Sequence, residues 1–320
     1  MFFKNKNVLV SGASGFVGTN LIKRLLELEA NVYGVLHHKK PLINFNSDRI
    51  NYKWKDLTNK QNCQEVVRGM DYVFMCASNE YLAGKIEEYS LTSLPSNVIM
   101  DTLMLEAAYR AKVKKVLFIS SATVYPLSNS PLKENDFNGN LFNKYFCIGW
   151  MKRFLEIMCE MYSTRIKNPI TTIVIRPGSI YGEYDNFEWE KAHSTPALIR
   201  KVIERHNPLE VWGDGSDIKD LLYISDLIDG LILAMEKIEK FDILNLASGR
   251  SYSIKETLET ILEVDNYTDA KIIFDKSKPI MIPIRMIDIS KAKRILRFNP
   301  KINLNEGIKR TIEWYKKNKK

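Results

Sequence analysis

The run Ser11-Gly12-Ala13-Ser14-Gly15-Phe16-Val17-Gly18 constrains this chain more than any other segment. Its glycines stand at G-x-x-G-x-x-G spacing between the apolar run Val8-Leu9-Val10 and a stretch carrying Leu21, Leu25, Leu26 and Leu28 at helical spacing. Between a strand and a helix, Gly12 permits a tight turn and Gly15 lets the backbone approach a pyrophosphate. Gly18 lets the helix pack closely on the sheet, and the helix N-terminus offers unpaired N–H groups and positive dipole to phosphates. Residues 8–36 therefore read as a dinucleotide cradle, with Ser14, Phe16 and Val17 inside the loop.

The second strand, over 31–36, should end on the residue that reads the adenosine ribose. A carboxylate there suits NAD, whereas positive charge suits the 2′-phosphate of NADP. The residues are His37-His38-Lys39-Lys40, with no acid. NADP is favoured and NAD remains possible; the bland alternative is an exposed basic loop.

Further strand-like runs lie over 72–76, 115–120 and 171–175, with helical patterns over 62–68, 98–111 and 148–162. Strands alternating with helices predict a parallel sheet covered on both faces. Beyond Arg176-Pro177 the pattern loosens, with helices expected over 197–205, 225–237, 254–263 and 305–317 and strands over 208–212 and 242–245. The expected fold is α/β: a Rossmann-like doubly wound parallel sheet over 1–177 and a smaller α/β substrate-binding lobe over 178–320, with the chain free to recross between them.

Several function classes drop out. No apolar run is long enough to cross a bilayer, and Met1–Lys6 leads straight into a strand without room for a signal sequence. Cys63, Cys76, Cys147 and Cys159 form no C-x-x-C pair, so they read as reduced thiols of a cytoplasmic protein, with no disulfide framework and no metal site. The net charge of +9 is spread along the chain without aromatic-interleaved basic motifs, which argues against nucleic acid and leaves a field that helps capture an anion.

With Ser120-Ser121-Ala122-Thr123-Val124-Tyr125-Pro126 the chain resembles the extended short-chain dehydrogenases/reductases that act on nucleotide sugars, over nearly its whole length. The resemblance implies that Asp56 and Leu57 lie near the adenine, that Cys76-Ala77-Ser78 passes the nicotinamide ribose, and that Asn97 opens a helix beside the cofactor. Arg176-Pro177-Gly178-Ser179 resembles the turn leading toward cofactor and sugar nucleotide. Trp212, Lys219 and Arg285 lie in segments similar to those that hold the substrate's nucleoside and diphosphate. Within the family the Trp212-Gly213 segment and the ending are most similar to the GDP-fucose synthase branch, which implies a GDP-linked sugar and hydride transfer at carbon 4. Ser121 falls on the family's catalytic serine. His193 falls on that branch's epimerising histidine, but the partner cysteine is Thr123, whose hydroxyl is far too weak an acid to replace a thiol. The alternative for His193 is an exposed residue at a helix start. A homodimer through the 98–111 and 148–162 helices is also implied.

The largest departure is at the catalytic pair. The family pattern, Tyr-x-x-x-Lys, stacks the two side chains one turn apart, so that the ammonium brings the phenol down from about 10 toward neutrality. Here Lys152 is present, acting also on the nicotinamide ribose, but the tyrosine position is Ile148. Losing such a group costs roughly 10²–10⁴-fold in rate. Three readings follow: Tyr145 substitutes from the same helical face, about 10 Å further along a regular helix; Ser121, Thr123 or a substrate group relays the proton through water; or catalysis is lost and a nucleotide-sugar and cofactor-binding module remains.

Overall fold

The structure, a computed structural model, describes residues 1–79, 86–278 and 280–318, with residues 86–92 as backbone. The first half alternates strand and helix. It runs β1 (Asn7–Ser11), α1 (Phe16–Glu27), β2 (Asn31–Leu36), β3 (Ile50–Trp54), α2 (Lys60–Val66), β4 (Tyr72–Met75), α3 (Ile86–Arg110), β5 (Lys115–Ile119), α4 (Phe146–Thr164) and β6 (Thr171–Pro177). There follow β7 (Ser179–Tyr181), α5 (Ser194–Ile203), β8 (Leu209–Trp212), β9 (Ile218–Tyr223), α6 (Ile224–Lys237), β10 (Asp242–Leu246) and β11 (Ser251–Ser253). The chain ends with α7 (Ile254–Val264), β12 (Ile272–Asp275), β13 (Ile284–Arg285), α8 (Ser290–Leu296) and α9 (Leu304–Asn318).

One parallel sheet has the order β10-β6-β5-β4-β1-β2-β3. Its central strands are runs such as Val8-Leu9-Val10 and Tyr72–Met75, buried on both faces, which explains why they are continuously apolar rather than alternating. Val10, Leu21, Leu25 and Leu231 pack on one face, and Leu9, Val66, Leu105 and Leu155 on the other, so α1 and α6 cover one side and α2, α3 and α4 the opposite side. This is the expected Rossmann-like α/β arrangement. The strand order reverses between β1 and β4, and the crevice outside their carboxyl ends is where such sheets bind ligands.

Later elements return to this sheet. β10 pairs with β6, and the buried Lys115 of β5 donates to the carbonyls of Met235 and Glu236 at the end of α6 and to Glu239. The remaining strands form two smaller sheets, one in which β9 pairs with β7, β11 and β13, and one in which β8 pairs with β12.

Candidate functional site

The glycine loop fits a pyrophosphate. Gly12 has φ +67°, and a Cβ there would meet the Ala77 Cα at 2.8 Å and the Cys76 carbonyl oxygen at 2.9 Å. A Cβ on Gly18 would lie 2.2 Å from the Gly12 carbonyl oxygen, so helix and turn are packed as closely as backbone allows. Gly15 starts α1 with no capping side chain, and the first-turn N–H groups of Phe16, Val17 and Gly18 have no acceptor within the helix. Ser11 Oγ accepts from the N–H groups of Cys76 (3.0 Å) and Ala77 (3.1 Å), fixing the end of β4 beside the loop. Ser14 is half-buried in the loop, and Ser78 is exposed.

Asn97 does not open a helix as expected but lies inside α3, which begins at Ile86; it is buried, its Oδ1 accepts from the Asn79 N–H at 2.8 Å, and its Nδ2 donates to the Asn79 carbonyl at 3.3 Å. It therefore holds the 77–79 segment. Beyond β2, the rings of His37 and His38 lie 3.5 Å apart, with Lys39 exposed beside them. His37 Nε2 is 4.0 Å from Asp56 Oδ2. Asp56 Oδ1 accepts from the N–H and hydroxyl of Thr58, which hold its carboxyl below the usual carboxylate range, and the two histidines add to the effect. Leu57 is buried.

Ser121 caps a 3₁₀ turn over Ala122–Val124, its Oγ accepting from the Thr123 N–H at 3.1 Å. That bond occupies a lone pair and leaves the hydroxyl proton available to donate. Thr123 Oγ1 is out of solvent and has no hydrogen-bond partner among the described residues. Lys152 is buried on α4; its Nζ donates to the Ile119 carbonyl at 3.1 Å and lies 4.8 Å from the centre of the Phe118 ring. Burial pulls its ammonium below the usual lysine range, against the opposing charges of Asp101 and Glu156. One turn earlier the buried position is Ile148, which brings no polar group to Lys152.

Tyr145 stands just outside the helix that carries Lys152. A 3₁₀ turn over Asn143–Tyr145 precedes α4, which begins only at Phe146, and Tyr145 occupies the cap. Burial pushes its phenol up to about 12; the charges acting on it are Arg285, which opposes the shift, and Asp217, which adds to it. The first turn is thus irregular, so the spacing of about 10 Å expected for a regular helix does not apply to Tyr145. His193 is exposed at the cap position of α5 and makes no capping bond.

Arg176 is a second correction. Its guanidinium is fully buried and consumed, with Nε and Nη2 on the Glu156 carboxylate (2.8 and 2.6 Å) and Nη1 on the Glu134 carbonyl (2.9 Å). Ser120 Oγ donates to the same carboxylate at 2.6 Å, and Arg153 adds a further bond. With its donors turned inward, Arg176 braces β6 against α4 rather than facing a cofactor. The Arg-Pro pattern carries no mark of Glu156, a partner on another element.

Across the crevice, strand pairing sets two cations side by side: Arg285 of β13 is the register partner of Lys219 of β9. Arg285 is buried and donates to the carbonyls of Pro126 (3.1 Å) and Tyr125 (3.4 Å); Lys219 Nζ donates to the Ile282 carbonyl. Burial lowers Lys219 to about 8, with Asp217 opposing and Arg285 adding to the shift, and lowers Arg285 to about 10. Neither makes an ion pair among the described residues. Adjacent desolvated cations whose hydrogen-bond partners among the described residues are carbonyls have the chemistry to take an anion. Ser179 is half-buried at the start of β7, whose strand lies against β9, and Trp212 is exposed at the end of β8. Asp217 also belongs to this region, and it did not stand out in the sequence.

No group of three or more His, Cys, Asp or Glu side chains able to hold a metal ion occurs among the described residues. Nor is any helix among them long and apolar enough to cross a membrane.

Residues 8–247 match the NAD dependent epimerase/dehydratase family. GDP-L-fucose synthase 1 of Arabidopsis thaliana is 27% identical, the alignment covering 98% of this chain and 94% of that protein. The dTDP-4-dehydro-6-deoxy-D-allose reductase of a Streptomyces species is 25% identical over 98% of both chains. Among solved structures, the UDP-glucose 4-epimerase of Thermotoga maritima with UDP-glucose superposes with a TM-score of 0.88 at 21% identity, covering 98% of this chain and all of that one, a likeness of fold.

Proposed function

The chain belongs to the NAD dependent epimerase/dehydratase family, and on that premise we propose that it transfers hydride at carbon 4 of a nucleotide-linked sugar, GDP-linked, using NADP. The paired Lys219 and Arg285 carry this reading, because two neighbouring desolvated cations suit a sugar nucleotide's diphosphate. The glycine loop takes the cofactor pyrophosphate, and His37, His38 and Lys39 take the 2′-phosphate. The bound nicotinamide supplies or accepts the hydride. Lys152 donates to the nicotinamide ribose, Ser121 donates to the reacting oxygen, and Thr123 offers an unused hydroxyl for a relay through water. Ser179 and Trp212 flank the nucleotide, and His193, exposed at the start of α5, acts on the sugar.

A second reading, a nucleotide-sugar-binding protein without turnover, is favoured by Ile148 and by the Tyr145 phenol, which burial pushes up to about 12. Purified protein with NADPH or NADP and a panel of GDP-, UDP- and dTDP-sugars separates the two at the reduced-nicotinamide absorbance band. Turnover with a GDP-sugar supports the first; tight binding of both ligands without turnover establishes the second. The protein acts as a cytoplasmic homodimer in this reading. Phe146, Trp150, Phe154 and Ile157 form an exposed apolar stripe on α4, with Ile99 exposed on the neighbouring α3.

A further inference from the structure

The peptide unit joining Ile119 to Ser120 closes β5, and its two polar groups meet different elements. Its carbonyl, from Ile119, accepts from Lys152 Nζ at 3.1 Å, while its N–H, from Ser120, donates to the Ile175 carbonyl of β6 at 2.7 Å. A peptide unit is planar, so whatever fixes Ser120 also fixes the direction of the carbonyl that meets the lysine. Among the described residues that carbonyl is the only hydrogen-bond acceptor of Lys152. Ile148, one turn before the lysine, is apolar, so no phenol shares the task.

Ser120 is itself tied to the helix of the lysine. It is 4% exposed, and its Oγ donates to Glu156 Oε1 at 2.6 Å. Glu156 follows Lys152 by four residues on α4, about 6 Å along the axis and on the same face. Two adjacent rungs therefore join strand end and helix: Ile119 to Lys152, and Ser120 to Glu156. The second rung is firmly anchored. Glu156 Oε1 also accepts from Arg176 Nε at 2.8 Å, and Oε2 accepts from Arg176 Nη2 at 2.6 Å and from Arg153 Nη1 at 3.0 Å. Four donors fill the carboxylate, which is then held against rotation. Arg176 and Arg153 already balance its charge, so the Ser120 hydroxyl is not required for that. Its one proton is spent on Glu156, and what the bond adds is a fixed post at the end of β5.

We propose that Ser120 is a positioning residue for Lys152: its bond to Glu156 sets the plane of the Ile119–Ser120 peptide, and with it the carbonyl that seats the ammonium. This rests on the reading of Lys152 as a ligand of the cofactor ribose. Without the bond the peptide is held by its N–H alone, and the ammonium meets the ribose from a wider range of positions.

A double-mutant cycle on NADPH affinity, read by quenching of tryptophan fluorescence in the full chain, tests this. Ser120→Ala should weaken binding about tenfold in the parent, the scale of one charge-assisted hydrogen bond. In a Lys152→Met background the same change should cost less than about twofold, because the group it positions is gone. Ser120→Thr keeps the hydroxyl and should bind as the parent does. Equal losses in both backgrounds would show a bond that only holds the fold, and that result overturns the inference. So does parent-like binding by Ser120→Ala beside a weakened Lys152→Met. Parent-like binding by Lys152→Met would instead defeat the reading of Lys152 itself. If Ser120→Ala does not fold, Ser120→Cys, of similar shape with a weaker donor, enters the same cycle: loss confined to the background that keeps Lys152 supports the inference, and equal loss in both overturns it.

Discussion

Replacing Ile148 by tyrosine should turn a slow or silent site into a fast one. Positions 148 and 152 are one turn apart on α4, about 6 Å along the axis and on one face, so a phenol at 148 would stand beside the Lys152 ammonium. A cation at that range lowers a phenol by roughly 1–3 units, while burial pushes the other way, as it does at Tyr145. A general acid so placed is worth about 10²–10⁴-fold in rate. The added bulk enters a tight spot. Ile148 is 6% exposed, and a Cβ on the adjacent Gly149 would approach the Thr123 carbonyl oxygen to 2.7 Å, so a stability loss of roughly 1–3 kcal/mol should accompany the gain. Single-turnover absorbance with NADPH and the nucleotide-sugar panel, repeated across pH, measures both the rate and any new ionisation. Ile148→Phe supplies the same bulk without the hydroxyl and should stay slow. A folded Ile148→Tyr protein that binds both ligands as the parent does, yet gains neither rate nor a titrating limb, would show that the missing phenol is not what limits this site.

Arg285→Gln or Lys219→Met should weaken GDP binding about tenfold or more by calorimetry, while NADPH binding stays unchanged. Because the folded Lys219 titrates near 8 and the unfolded chain near 10.5, the unfolded state binds more protons between those values, so stability rises with pH across that window. Diphosphate affinity should fall over the same range, and a flat response to pH in both measurements would contradict the desolvated lysine. Glu156→Gln leaves the Arg176 cation buried without its counter-charge and should cost about 3–5 kcal/mol in urea unfolding, whereas Glu156→Leu with Arg176→Met should recover much of it. A double variant as unstable as the single one would refute that account. His37→Asp should shift cofactor preference toward NAD by about tenfold, read as the ratio of dissociation constants.

How much of this was legible depended on whether the cause was local. The Gly12–Gly18 loop could be read from the chain because the constraint at each glycine lies within a few residues of it, apart from the approach to Ala77. The edge strand β3 escaped notice because Asn51 and Lys53 interrupt its apolar pattern on a half-exposed sheet edge. For Tyr145, helical periodicity fixes a spacing from Lys152 only if the helix is regular, and it does not reveal the 3₁₀ first turn over Asn143–Tyr145. Arg176 was assigned outward because its partner lies on α4. Lys219 and Arg285 were both marked as diphosphate ligands through resemblance, but their adjacency exists only once β13 pairs with β9. Glu156 carried no signal at all: a single acid within an amphipathic helix looks like a solvated residue until the helix is docked.

The pairing of β10 with β6 has a consequence for dividing the chain. A fragment ending at Pro177 would keep the cofactor loop, but β6 would become an open edge of Thr171-Thr172-Ile173-Val174-Ile175, β-branched throughout and free of charge. The same cut would strand the Lys115 ammonium in an apolar layer stripped of its acceptors from the end of α6. Such a half should associate through its bare strand rather than persist as a monomer, so splitting the gene at this proline would yield aggregates unless the second half is supplied at the same time.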